Sequence, residues 1–384
     1  MSLRIAFFTD ACLYQVNGVS RTVDRLLGFL EEQGCQTAVF APIDPTQPLP
    51  GLQPRRKAYL YHGIPLPFYA ECRLSMPLSP RFYAAFTGFK PDLVHLVTEY
   101  SMGLAGLYCA CRFGVPVVSS YHTDISRYAA YYRLPFLSEA TWRYLVWFHR
   151  QCRLNFYPSR STGQMLAERG IPNLQFWGRG VDTTLFHPHK RDDLLRRRLG
   201  SGPLLLYVGR LAPEKNLDVA FAALEQVLHT YPEAKLILAG DGPLGPVIRR
   251  QPPAGVLPLG MLQGEELSRL YASCDLFVFP STTETYGNVV LEAMASGLPV
   301  VASLSGGITE NLRPGSNGLD FPPQRSQGMA AAICALLDND LLRRQMSVAA
   351  RRHAETRSWT NALTPVLEGY QSVALAKNPL QQAV

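Results

Sequence analysis

The sequence predicts an α/β protein of two doubly wound domains. Three observations predict it. Short apolar runs alternate with longer amphipathic stretches, the strand–helix alternation that builds a parallel sheet. The alternation halts at a glycine- and proline-bearing stretch near residue 180 and restarts at Leu204. The chain has 384 residues, 47% of them hydrophobic, enough for two or three domains each with a full core. The expected picture is two Rossmann-like domains, 1–180 and 190–358, facing each other across a cleft.

In the first half, Arg4 to Phe8 reads as a strand, followed by a loop to Gly18 and a helix from about Val19 to Gln33. Asn17-Gly18-Val19-Ser20 thus lies at the carboxyl end of a strand, where open α/β sheets bind ligands. A plain strand-to-helix turn fits the same residues. Thr37 to Ala41 is the next strand. The prolines scattered through Pro42 to Pro54, Tyr59 to Pro67 and Leu74 to Pro80 predict loops. Asp92 to Leu96 is a buried strand, Met102 to Phe113 a helix and Val115 to Ser119 a strand. That strand runs into Ser120-Tyr121-His122-Thr123-Asp124. A histidine there is placed for chemistry, although a hydrogen-bonded structural histidine fits equally. Asp124 can cap the next helix.

Residues 125–153 interleave aromatics (Tyr128, Tyr131, Tyr132, Phe136, Trp142, Tyr144, Trp147, Phe148) with arginines (Arg127, Arg133, Arg143, Arg150, Arg153). On helices this mixture suits an anionic membrane interface, and half of the aromatics suit a core. Strand Leu154 to Tyr157, helix Ser159 to Arg169 and strand Leu174 to Trp177 complete the half. Gly178 to His189 reads as a linker.

In the second half, strand Leu204 to Val208 ends in Gly209-Arg210, with Lys215 just before a helix from Leu217 to His229. Two cations at one strand-to-helix turn can offset the two charges of a diphosphate. Strand Lys235 to Ala239 leads into Gly240-Asp241-Gly242-Pro243-Leu244-Gly245, which fits G-x-G-x-x-G with Glu265 and Glu266 downstream; taken by itself it proposes an NAD-dependent oxidoreductase. Residues 275–302 read as strand (Leu276 to Phe279), polar loop, helix from about Gly287 to Ser296, and strand (Pro299 to Ala302). Such a helix start leaves N–H groups unpaired near Gly287, Asn288 and Val289, a site for an anion. Glu284 and Glu292 frame it. They suit sugar hydroxyls on either side of a phosphate, or else a dipole-complementing acid and a surface acid. The tail from Gln324 is helical. Asp338-Asn339-Asp340 matches D-x-D formally, but between two helices it reads as a cap, so no metal ligand is assigned.

Glu284 and Glu292, with Tyr-Gly-Asn-Val-Val-Leu between them and Ala-Met-Ala-Ser-Gly-Leu-Pro-Val-Val after, resemble the signature of family-4 retaining glycosyltransferases of the GT-B fold. Trp177-Gly-Arg-Gly-Val-Asp182 is similar to the same phrase in GDP-mannose-dependent α-mannosyltransferases and sulfoquinovosyl-diacylglycerol synthases. The resemblance implies transfer of a hexose from a nucleotide diphosphate sugar, GDP-mannose or a UDP-hexose, to a lipid or glycan hydroxyl. It implies that Glu284 holds the hexose and Glu292 the ribose, while the amides of Gly287, Asn288 and Val289 and the cations Arg210 and Lys215 hold the diphosphate. His122 would contact the donor sugar, and Gly18 would let the backbone reach the diphosphate. Tyr286, which the resemblance sets among the donor-binding residues, stands where Phe is more usual, and Asn17 where the first glycine of the turn is usual. With Arg210 and Lys215 standing in for a metal, no cofactor is expected. The resemblance also returns the last helix, 359–384, to the first domain.

Composition limits the alternatives. The net charge is +7, mostly from the first half, so an anionic partner is expected: phosphate-bearing substrate or anionic lipid. No helix-turn-helix, RRM or zinc-finger pattern is present, so nucleic acid is not expected. The apolar start meets Asp10 too soon for a signal peptide. The eight cysteines form no C-x-x-C pair and suit reduced thiols. The expected location is cytoplasmic, peripheral at the inner face of a membrane. A sugar-nucleotide epimerase, a phosphorylase or a non-catalytic nucleotide-sugar-binding protein would share parts of this pattern.

Overall fold

The computed structural model describes residues 2–11, 18–43, 56–66, 69–75, 79–122 and 138–376. Asn17, Asp124 and the stretch from Arg127 to Phe136 lie outside the described residues. The chain forms two compact units, Met1–Gly178 with Thr360–Val384, and Arg179–Trp359.

The first unit is a seven-stranded parallel sheet in the order β3-β2-β1-β6-β7-β8-β9. Its strands are β1 (Arg4–Phe8), β2 (Gln36–Ile43), β3 (Arg56–His62), β6 (Leu93–Leu96), β7 (Val117–Ser120), β8 (Leu154–Tyr157) and β9 (Leu174–Phe176). Between β1 and β2 runs helix α1 (Gly18–Glu32). Val23, Leu26, Leu27 and Leu30 recur at helical spacing on its buried face.

The proline-bearing stretch from Tyr59 to Pro67, expected as loop, instead supplies β3 as an edge strand and a small antiparallel ribbon, β4 (Ile64–Leu66) with β5 (Tyr69–Leu74). Pro65 falls after β3, in the two-stranded ribbon, where a missing N–H costs little. Aromatic packing holds the edge: Tyr59 stacks on Phe40 at 4.8 Å, and Tyr61 meets Phe82 edge-on at 5.5 Å. Phe82 belongs to α2 (Pro80–Phe89), a helix not expected from the sequence. Ser79 caps its first turn, Pro80 opens it, and Phe82, Phe86 and Phe89 line its buried face.

Helices α3 (Ser101–Phe113), α4 (Ser138–Arg150) and α5 (Arg160–Glu168) complete the crossovers. On α4, Trp142, Leu145 and Phe148 are core, whereas Trp147 is half exposed.

The second unit is a six-stranded parallel sheet ordered β12-β11-β10-β13-β14-β15. Its strands are β10 (Leu204–Val208), β11 (Lys235–Ala239), β12 (Val256–Gly260), β13 (Leu276–Phe279), β14 (Val300–Ser303) and β15 (Gly318–Phe321). Its helices are α6 (Asp193–Leu199), α7 (Leu217–Thr230), α8 (Gly245–Arg250), α9 (Gly264–Ser273), α10 (Asn288–Ala295), α11 (Ser326–Leu337) and α12 (Asp340–Glu355). β10, β13 and β14 are buried along their whole length, as strands covered on both faces must be.

The stretch read as a linker packs into this second unit. Val181 and Phe186 join its core, Phe186 lies edge-on to Tyr271 at 5.6 Å, and the Arg351 guanidinium donates to the Thr183 and Phe186 carbonyls. Asn339 caps α12 by accepting from the Leu342 amide, and Asp340 pairs with Arg343. The last helix, α13 (Trp359–Leu375), belongs to the first unit. Gly369 lets it approach β8, where a Cβ would stand 2.9 Å from the Leu154 side chain. No described helix is long and apolar enough to cross a membrane.

Strand order reverses direction between β10 and β13, and in the first unit between β1 and β6. These are the points where a doubly wound sheet opens a crevice at its carboxyl edge.

Candidate active site

Three loops converge at the β10/β13 reversal: 209–216 after β10, 280–287 after β13, and 304–310 after β14. The Asn216 side-chain amide donates to the Pro280 carbonyl at 3.3 Å, Ser305 Oγ donates to the Thr282 carbonyl at 3.0 Å, and the Gly307 amide donates to the Glu284 carbonyl at 2.7 Å. The middle loop is therefore clamped from both sides.

The charged groups come together inside this clamp. The Lys215 ammonium is bonded to the Glu284 carboxylate, and Ser281 Oγ donates to the same oxygen at 3.0 Å. The Arg210 guanidinium pairs at 3.0 Å with Glu214, a carboxylate with 1% side-chain exposure. A buried acid must keep its cation, so Glu214 fixes where Arg210 stands. The Tyr207 hydroxyl donates to the Arg210 carbonyl at 3.0 Å and braces the same turn. Sequence spacing suggested two cations offered to a ligand. The structure shows each of them already balanced by an acid.

Helix α10 opens beside this cluster. Gly287 precedes it with φ +82°, a left-handed conformation natural to glycine, and no side chain caps the first turn. A Cβ at Gly287 would stand 2.7 Å from Ile308 Cδ1. Asn288 Oδ1 is buried and has no hydrogen-bond partner among the described residues, an acceptor in want of a donor. Glu292, largely buried one turn further on, lies 3.1 Å from the Tyr271 hydroxyl.

Tyr286, expected to touch the donor, has its ring in the core, and its hydroxyl donates to the Arg179 carbonyl at 3.2 Å. Burial raises its phenol pKa. Its side chain holds the loop down, and its carbonyl accepts from Asn311 Nδ2 at 3.3 Å.

The structure thus brings Arg210, Lys215, Glu284, Gly287, Asn288, Val289 and Glu292 to one edge of the second sheet. The other two expected residues are in the first unit. His122 follows β7 by two residues, is 9% exposed, and accepts or donates at 2.7 Å with Ser120 Oγ. Gly18 opens α1 and is exposed, with no atom of the described residues within 4 Å of where its Cβ would be. Crowding by the described residues therefore does not explain a glycine there.

Two family models match the chain: "Glycosyltransferase Family 4" over residues 16–185 and "Glycosyl transferases group 1" over residues 202–339. A GDP-mannose-dependent alpha-mannosyltransferase of Mycobacterium tuberculosis is 34% identical, the match covering 97% of each chain. The chain belongs to glycosyltransferase family 4. The sulfoquinovosyl transferase SQD2 of Arabidopsis thaliana is 33% identical over 97% of this transferase and 74% of the relative. Among solved structures, Anabaena Alr3699/HepE in complex with UDP and glucose superposes with a TM-score of 0.77 over 96% of this chain and 100% of that one, at 21% identity. Sucrose-phosphate synthase from Thermosynechococcus elongatus gives 0.80 over 98% and 100%, at 19% identity. The two parallel α/β sheets are those of the GT-B fold.

Within the transferase, Gly240 to Gly245 does a different job from the dinucleotide fingerprint it resembles. It follows β11, one strand away from the sheet's reversal. A Cβ at Gly242 would stand 2.6 Å from the Leu211 carbonyl oxygen, and one at Gly240 2.0 Å from that of Gly209. These glycines let the 240–245 loop lie directly on the Arg210 turn. Sequence reasoning missed Glu214, Tyr271, Ser281 and the Gly306-Gly307 pair. A double glycine just after a buried strand was the available signal for the last of these.

Proposed function

We propose that this transferase moves a hexose from a nucleotide diphosphate sugar, GDP-mannose or a UDP-hexose, to a hydroxyl of a lipid or glycan, with retention at the anomeric carbon. The observation that carries the reading is the Lys215–Glu284 pair set against the uncapped start of α10. A cation, a sugar-hydroxyl acceptor and a row of N–H groups are what a sugar diphosphate presents work for.

In this reading the amides of Gly287, Asn288 and Val289 with Arg210 and Lys215 hold the diphosphate, and Glu284 takes a hexose hydroxyl once the diphosphate draws Lys215 towards itself. Glu292 accepts from the ribose. His122 serves the transferred hexose. The leaving phosphate deprotonates the acceptor hydroxyl on the same face, and fixed positive groups stabilise it as it departs. The names of the relatives, a GDP-mannose-dependent enzyme and a sulfoquinovosyl transferase, support a sugar nucleotide as donor.

Calorimetry with GDP-mannose, UDP-glucose and UDP-sulfoquinovose, followed by mass spectrometry of lipid products, tests this. One donor should bind, and product should form only when acceptor is present. Conversion of donor without acceptor would instead indicate an epimerase. Since two cations take the place of a metal, turnover should be unchanged by EDTA; a loss restored by a divalent ion would refute that part.

The acceptor side is read as membrane-facing. On α4, Arg143, Trp147 and Arg150 line a groove with Arg169, whose guanidinium lies 4.8 Å from the Trp142 ring; Glu139, also in the lining, pairs with Arg143 at 3.7 Å and Arg169 at 3.5 Å, so the groove keeps a positive balance. Clustered arginines beside a half-exposed Trp suit anionic headgroups. The protein should sediment with anionic liposomes at low salt and be released as salt rises; failure to sediment removes the membrane from the reading.

A further inference from the structure

Behind His122 lies a run of hydrogen bonds that reaches the last helix of the chain. Tyr370 on α13 bonds His95 Nδ1 at 2.6 Å; His95 Nε2 bonds Ser120 Oγ at 2.8 Å; Ser120 Oγ bonds His122 Nε2 at 2.7 Å. Tyr370, His95 and Ser120 are all at most 1% exposed. We propose that Tyr370, His95 and Ser120 are positioning residues that fix the orientation of His122 and the ring nitrogen on which it carries its hydrogen.

The direction of the run follows from counting hydrogens. Burial pushes the Tyr370 phenol well up, so its O–H keeps its hydrogen, and burial lowers the His95 pKa to about 3, so that ring is neutral. A neutral imidazole has one donor and one acceptor, and a serine hydroxyl can accept one bond while donating another. Among the described residues His95 Nδ1 is the hydrogen-bond partner of the Tyr370 hydroxyl. If the run pointed the other way, His95 would donate to Tyr370 and the phenol hydrogen would be left in the core without an acceptor, which buried hydroxyls avoid. Tyr370 therefore donates to His95 Nδ1, His95 Nε2–H donates to Ser120, and Ser120 donates to His122 Nε2. His122 in its neutral form then carries its hydrogen on Nδ1. On the reading that His122 serves the hexose, the lone pair of its Nε2 is already taken by Ser120, so the ring does not act as a base through that nitrogen. The run also gives the returning helix a purpose, because it joins residues 275 apart in sequence beneath His122.

The test uses the full chain with nitrogen-15-labelled histidine, the His122 signals being identified by their loss in His122→Gln. Wild-type His122 should show a protonated Nδ1 and an unprotonated Nε2. Ser120→Ala and Tyr370→Phe should each shift His122 towards the other tautomer and lower turnover about tenfold, the worth of one hydrogen bond, with little change in donor affinity. Tyr370→Phe keeps the ring that packs on Phe7, His95 and Phe156, so it separates the hydrogen bond from folding. A wild-type His122 protonated on Nε2, or a tautomer unmoved in both variants, overturns the inference. A tautomer that shifts while turnover holds supports the positioning run and removes His122 from the reaction, so the two failures are distinguishable.

Discussion

Replacing Lys215 by alanine is expected to lower turnover by about 10²–10³-fold, the cost of removing one preorganised stabilising group from a developing anion. Two effects combine. The departing diphosphate loses a cation, and the Glu284 carboxylate, bonded to Lys215 in the wild type, is left to repel the donor. The second effect separates from the first in Lys215→Ala/Glu284→Gln. Neutralising the orphaned acid should restore part of the donor affinity measured by calorimetry, while turnover stays low. The two changes should be strongly non-additive, as expected for groups in direct contact. A Lys215→Ala variant with undiminished turnover would contradict the assignment of the diphosphate to this loop.

Gly307→Ala is expected to cost both stability and activity without removing any side chain assigned to substrate. Its Cβ would stand 2.3 Å from the Thr285 carbonyl and 2.4 Å from Tyr286 Cα, all backbone atoms with nowhere to swing. Overpacking of this kind costs about 1–3 kcal/mol, which scanning calorimetry should register as a fall of several degrees in Tm. The loop pushed aside is the one that carries Glu284 and leads into α10, and a shift of about 1 Å in a positioned group can cost 10²-fold in rate. Gly28→Ala is the control: it lies within α1 with no atom of the described residues beyond its own helix backbone within 4 Å of its Cβ position, so helix propensity should leave Tm level or raise it. Equal, unaltered behaviour of the two variants would show that the 304–310 loop does not clamp the site.

The parts of this account that were legible in the sequence are those encoded locally. The alternation of buried runs gave the two sheets, because a strand covered on both faces must be apolar throughout. The spacing of Glu284, Gly287 and Glu292 marked a strand–loop–helix edge. Phe82, Phe86 and Phe89 after Ser79-Pro80 carried a full helix signal that the neighbouring prolines masked. The prolines from Tyr59 to Pro67 misled because the edge strand β3 ends before them and Pro65 falls in a two-stranded ribbon, which tolerates what a central strand does not.

What could not be read was long-range pairing. Nothing near Lys215 announces that Glu284, 69 positions on, neutralises it. Nothing near His95 announces Tyr370. Tyr286 belongs with these: the resemblance set it among the donor-binding residues, and only its partner, the Arg179 carbonyl, reveals that its ring packs in the core.

The central claim is that Arg210, Lys215 and the opening amides of α10 grip a diphosphate at the β10/β13 reversal. A crystal structure with UDP or GDP tests it most directly. The account predicts both phosphates against the Gly287 to Val289 amides, with Lys215 released from Glu284 towards them. A nucleotide seated instead on Gly240 to Gly245, with the Lys215–Glu284 pair intact, would contradict it.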